Sequence, residues 1–169
     1  AETDKDYVKE GYVNLAEVGG RTWRGKPFNN NGLIQATAYG SKEPSIISWF
    51  VTPAVNIAQM EVKKVTFDCI SAYYKDGNKL EVYFLQLVDG KMVSTAINVA
   101  GMPTTDNTWV SLTADLSAQA GKTGFVGFKY TSTSSSEALS YRLDNIKAGP
   151  AEGGEDPDPS GETVVVTKD

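Results

Sequence analysis

The chain has 169 residues, 40% of them hydrophobic, enough for one domain with a sizeable core. It contains no His and one Cys, which excludes Ser–His–Asp and Cys–His catalysis, imidazole or cysteine zinc sites and any intramolecular disulfide. Residues 1–150 carry equal numbers of cationic and acidic side chains. The net charge of −5 lies entirely in residues 151–169, where Lys168 stands against Glu152, Glu155, Asp156, Asp158, Glu162 and Asp169. With no basic stripe, neither nucleic acid nor an anionic membrane surface is an expected partner.

No apolar run approaches the roughly 18 residues of a membrane-spanning helix, so a soluble chain is expected. The chain opens on Ala1 in a charged, polar segment, as a mature or trimmed form would, and residues 1–11 are read as an N-terminal extension. A first edge strand is expected near Tyr12. Gly19-Gly20 and residues 25–32, with Asn29-Asn30-Asn31-Gly32, read as turns around an isolated Trp23. Residues 33–39 alternate as a strand, and residues 46–52 (IISWFVT) form an apolar run stopped by Pro53, suited to a strand covered on both faces.

Residues 62–74 and 79–88 flank Lys75-Asp76-Gly77-Asn78, a hairpin signal, and Asp89-Gly90-Lys91 makes a second tight turn into residues 92–99. Cys69 falls on the face of Val65 and Phe67 and reads as a buried, inert thiol. Residues 109–116 form another strand, and residues 116–120 have room for one helical turn. Residues 124–132 and 139–148 then flank a Ser/Thr loop and read as a long-looped antiparallel pair. Nowhere do twelve residues show helical periodicity. The fold class is all-β, a two-sheet antiparallel sandwich of jelly-roll type over residues 12–148.

From Gly149 the composition turns to Pro, Gly and acid, so residues 149–162 read as a linker. Residues 163–169 begin with TVVVT, strongly β-forming and without a hairpin partner. Residues 163–167 either open a following domain or pair with an open sheet edge.

Several segments in order resemble one known group. They are Ser48-Trp49-Phe50-Val51-Thr52-Pro53, Val65-Thr66-Phe67, Leu80-Glu81-Val82-Tyr83, the stretch from Trp109 to Leu116, Gly127-Phe128-Lys129-Tyr130 and Leu143-Asp144-Asn145-Ile146. Together they resemble the cleaved-adhesin and choice-of-anchor-J group of β-sandwich domains on Bacteroidetes surface and secreted proteins. The insert TSTSSSEALS departs from the shorter turn of that group. The resemblance implies a jelly roll related to carbohydrate-binding modules, without catalysis, displayed at the extracellular or outer-membrane surface. It also implies neighbouring domains on the same polypeptide, as in multidomain surface lipoproteins. In some members a structural calcium ion lies between the first and last strands.

Asp144 is the metal candidate, with Asn145 and either Glu10 or Glu17 as oxygen partners for calcium. The alternative is an Asp that accepts backbone N–H groups and closes a turn. For ligand binding the candidate set is Trp23, Arg24, Asn30 and Tyr74, because pyranose rings lie on aromatic faces while guanidinium and amide groups take hydroxyls. For Trp23 the competing reading is core packing beneath a loop. Trp49 and Trp109 are expected in the core. Fifteen carboxylates always contain some pair at glycosidase spacing, so that spacing carries no weight and no enzyme is expected. The expected function is a non-catalytic binding or adhesion module for a glycan or host surface protein. The competing reading is a structural spacer with no ligand of its own.

Overall fold

Period-two alternation lets most strands bury one face, and among the described residues eleven strands stack in two sheets. The computed structural model describes residues 6–28, 31–73, 77–133 and 139–149, and of residues 27, 28 and 31 the backbone alone. The strands are β1 (Val13–Val18), β2 (Arg24–Phe28), β3 (Asn31–Thr37), β4 (Ile46–Val51), β5 (Val55–Asn56) and β6 (Lys64–Ala72). They continue as β7 (Asn78–Val88), β8 (Lys91–Ile97), β9 (Val110–Asp115), β10 (Thr123–Ser132) and β11 (Ser140–Ala148). Single 3-10 turns occupy Ile57–Gln59 and Ser117–Gln119, the second within the predicted helical turn. One sheet has the order β1-β4-β10-β7-β8, with β5 also paired to β10. The other runs β2-β3-β11-β6-β9.

Every named strand pair is antiparallel, and the all-β sandwich stands. Between the sheets lie Trp23, Phe50, Phe67, Phe84, Phe128, Tyr130 and Leu143, all buried. Phe67 of β6 meets Phe128 of β10 edge-on across the sandwich, with ring centroids 5.0 Å apart. Cys69 is fully buried among them, and burial followed by the neighbouring Asp68 charge pushes its thiol up to about 12.

Two expected hairpins are crossovers instead. Residues 124–132 and 139–148 become β10 and β11, which lie in different sheets. Each is an interior strand paired on both edges, by β4, β5 and β7 for β10 and by β3 and β6 for β11, so neither has an edge left for the other. They face each other across the core instead. The same holds for β6 and β7, which lie in different sheets although a hairpin signal stands between them in the sequence. The Asp89-Gly90 turn does close a hairpin. Its φ values of 51° and 74° are those of a type I′ turn, whose twist matches that of the strands it joins.

The buried hydroxyl of Tyr130 ties the crossover end together. It donates to the Leu139 carbonyl at 2.7 Å and accepts the Ala38 N–H at 3.1 Å, linking the end of β10 to segments of the opposite sheet. The linker and the TVVVT segment lie outside the described residues.

Candidate functional site

The expected ligand set does not assemble around Trp23. Trp23 is 0% exposed, tilted against Phe50 at 6.3 Å between the sheets, with its indole N–H toward the Ser48 carbonyl at 3.4 Å. Asn14 fixes it there. The Asn14 carboxamide accepts the Trp23 N–H at 2.9 Å and donates to the carbonyls of Trp23 (2.7 Å) and Tyr7 (3.0 Å). Of the two readings of the ring, the core one holds: the half-buried Asn14 amide fixes the Trp23 backbone while the indole packs between the sheets. Trp23 is therefore a core residue. Arg24 follows on the edge strand β2, its Nε 4.0 Å from the Asp6 carboxylate. Asn30 and Tyr74 lie outside the described residues.

The other two tryptophans also depart from expectation. Trp109, just before the edge strand β9, is 39% exposed. Trp49 is half-buried on the outer face of the β1-β4-β10-β7-β8 sheet, because Ser48 and Phe50 take the inward positions of β4. Its ring lies against Tyr83 of β7, with centroids 5.3 Å apart and planes at 56°. Gly127 on β10, between them in the ladder, makes this possible. A Cβ there would stand 3.0 Å from both the Trp49 ring and Leu85 Cδ1. A glycine inside a strand often marks such a close approach.

Polar groups ring the pair. The Trp49 indole N–H donates to Glu17 Oε2 at 2.6 Å, and the Tyr83 hydroxyl donates to Glu81 Oε2 at 3.1 Å. Burial first, then the Glu81 bond and charge, push the Tyr83 phenol up, so it stays a neutral donor. Lys129 Nζ sits 5.4 Å from the Trp49 ring and 5.6 Å from that of Tyr83, a cation held over both π faces. Ladder partners on the same outward side add Val13 and Leu15 of β1, Leu87 of β7 and Met92 of β8, all exposed. The outer face of the second sheet differs. It carries polar pairs, with Arg142 Nε on Gln35 Oε1 at 2.7 Å and Ser111 Oγ on Asp68 Oδ1 at 2.7 Å. One outer face is built on an aromatic pair with exposed apolar neighbours; the other carries these polar pairs beside the covered Leu33 and Ile70.

Asp144 sits on β11 where the ladder to β6 shifts register, and Asn145 beside it has φ 52°. This is a bulge, which bends the strand and takes a residue out of the ladder. Asp144 Oδ1 accepts the Asn145 N–H at 2.9 Å, and Asn145 Nδ2 donates to Asp68 Oδ2 at 2.6 Å, separating two carboxylates that face each other in the ladder. Asp144 also lines a cavity of about 150 Å³ with Tyr7, Lys9, Tyr12 and Phe50, near the first strand.

These residues are a poor match to calcium. Glu17 is committed to Trp49 in the other sheet, Lys9 brings a cation to the cavity, and no group of three or more acidic, His or Cys side chains converges among the described residues. A calcium ion requires six to eight oxygens. The geometry supports the turn-closing role of Asp144, and no chemistry is derived through a metal.

No family model matches the chain, and no curated protein does. Among solved structures it is similar to a cleaved adhesin domain of Lys-gingipain from Porphyromonas gingivalis, at 12% identity and TM-score 0.51, covering 80% of this chain and 91% of that one. A further cleaved adhesin domain of Lys-gingipain matches at 11% identity and TM-score 0.50, over 86% and 94%. A family 11 carbohydrate-binding module from Clostridium thermocellum, in complex with a mixed-linked tetrasaccharide, gives 12% and 0.49 over 85% and 90%. At such identities the likeness speaks to the fold: a β-sandwich with the architecture of cleaved adhesin domains. Among the described residues no helix is long and apolar enough to cross a membrane.

Sequence reasoning missed the Trp49–Tyr83 pair because residues 46–52 read as uniformly apolar. One signal was present. Gly124 and Gly127 interrupt an otherwise bulky strand, and Gly127 is the position over which the indole lies.

Proposed function

We propose that this chain is a non-catalytic binding module of a surface-displayed protein, and that it takes a glycan on the outer face around Trp49 and Tyr83. The observation that carries the reading is the contrast between the two outer sheet faces, one built on an aromatic pair and the other on polar pairs. A pyranose ring presents an apolar C–H face and a rim of hydroxyls. The first suits the rings, and the second suits Glu17, Glu81 and Lys129 around them. Lys129 reaches its position on a flexible four-carbon stem, so it can swing from the rings to a hydroxyl when a sugar takes its place. The adhesin domains of like fold come from a Bacteroidetes protein, which supports display outside the cell.

The spacer reading predicts no ligand at all. A glycan array followed by calorimetry separates the two. Binding that falls about tenfold or more in Trp49→Ala and in Tyr83→Ala, roughly 1.4 kcal/mol or more each, supports the module. A Trp109→Ala control, outside the face, should bind as the parent does. A blank array leaves the spacer, and binding indifferent to both rings places the ligand elsewhere.

A further inference from the structure

Strand β8 has an open edge without the protection the other edges carry. Among the described residues it pairs with β7 alone, and its residues are exposed on both faces along nearly the whole strand. Between Met92 and Thr105 there is no charged residue. Beside it, Leu87, Val88, Met92 and Val93 are 60%, 43%, 54% and 46% exposed. Sheet edges normally carry charges, prolines or bulges that prevent further pairing. The other three edges differ in this respect. β1 has Glu17 and a register shift between Ala16 and Val18, β2 has Arg24, Lys26 and Pro27, and β9 buries Leu112 and Ala114 before ending in Asp115.

The chain leaves the sandwich at the end of the β7–β8 turn, from the middle strand of the facing sheet. β10 starts at the end of the β7–β8 turn, since Phe125 lies beside Leu85 while Ser132 lies beside Asn78. The 133–139 connection takes the chain from the far end of β10 into β11, so β11 finishes back at the turn end. There the Gly149 N–H is bonded to the Lys64 carbonyl at 2.9 Å. Residues 150–162 can extend to about 43 Å, at roughly 3.3 Å each. That covers the roughly 10 Å between the sheets and three strand spacings of about 4.8 Å to a place outside β8. The next five residues, TVVVT, are β-forming and uncharged, like the edge itself.

We infer that residues 163–167 add to the open edge of β8 as a further strand of the same sheet, within the same chain. Entering from the turn end, the segment runs parallel to β8 and brings Glu162 to Lys91, which opens the strand. Its valines extend the apolar rim made by Met92 and Val93. This inference is independent of the glycan reading, since β8 lies at the border of the face and the Trp49–Tyr83 pair at its middle.

The test is amide hydrogen exchange on the full chain. Every second N–H of β8 points away from β7. In the parent those amides should be protected about 100-fold or more relative to Val165→Pro, which removes a donor from the middle of the added strand. A synthetic peptide of residues 161–169, added in excess to Val165→Pro, should restore the protection. Equal exchange of the outward β8 amides in parent and Val165→Pro would overturn the inference. A parent that sediments as an oligomer and becomes monomeric with Val165→Pro would overturn the intrachain assignment.

Discussion

Removing one buried oxygen tests how the two crossovers are held. In Tyr130→Phe the ring stays in place, opposite Tyr141 at 6.2 Å, but the hydroxyl that serves both sheets is lost. The Ala38 N–H and the Leu139 carbonyl then lose the hydroxyl as a partner, with the Asn78 carboxamide, 3.4 Å from it, beside them. Each buried group left without a partner costs about 1–3 kcal/mol, and part is recovered because the hydroxyl no longer has to be desolvated. The expected loss is about 2–4 kcal/mol. For a domain of this size each kcal/mol moves Tm by about 2–4 °C, so Tm should fall by about 5–15 °C. Tyr83→Phe is the matched control. It removes a hydroxyl bonded to Glu81 on the outer face and should cost about 0.5 kcal/mol or less. Urea unfolding followed by fluorescence gives both numbers, with equal m-values showing that the unfolded states are comparable. If Tyr130→Phe were no worse than Tyr83→Phe, the hydroxyl would not be what ties the crossover end together.

The remaining predictions concern alkaline pH and metal. The Cys69 thiol is raised from 9.0 to about 12 in the fold, so it contributes stability that is fully present below pH 9 and drains away as pH rises toward 12. At roughly 1.36 kcal/mol for each pH unit, the loss across that window is about 4 kcal/mol, and pH-dependent urea melts of Cys69→Ala should lack this component. Tyr130, raised above 10.0 chiefly by burial, adds a loss in the same direction at higher pH, absent from Tyr130→Phe. For metal, excess calcium or chelator should leave Tm unchanged, while Asp144→Ala should lower stability by about 1–2 kcal/mol through the lost bond to the Asn145 N–H. A calcium-dependent rise in Tm that Asp144→Asn removes would restore the metal assignment.

Strand positions were legible in the sequence, and strand partners were not. Alternation locates β3, β7 and β10 within a residue or two, because burying one face is a local requirement. Which strand lies beside which is decided by the whole sandwich. Asp89-Gly90 and Asp76-Gly77 look alike in sequence, yet the first closes a hairpin and the second stands between strands of different sheets. Strand β2 was read as turn because Gly25 and Pro27 interrupt it, and an edge is where a strand tolerates both. The tryptophans show the same limit. Trp23 has polar neighbours in sequence and is buried, its backbone fixed by Asn14 nine residues away; Trp49 has apolar neighbours and faces outward because Ser48 and Phe50 take the inner positions.

The charge distribution bears on what the aromatic face recognises. Around Trp49 and Tyr83 the cations Lys79 and Lys129 stand against Glu17 and Glu81, and Lys79 already lies 3.6 Å from Glu81. Such a balanced set produces little potential beyond a Debye length of about 8 Å at physiological salt, so it cannot steer a charged partner from a distance. The globular body as a whole carries equal cationic and acidic counts, and the excess −5 sits in the tail. A glycan proposed for this face would therefore draw its affinity from contact, by desolvating ring surfaces and satisfying hydroxyls one by one. A neutral sugar loses nothing by the absence of a long-range field, whereas a charged protein partner would forgo the steering that makes its association fast. The same balance that leaves the face electrostatically silent thus favours a glycan over a charged protein as its ligand.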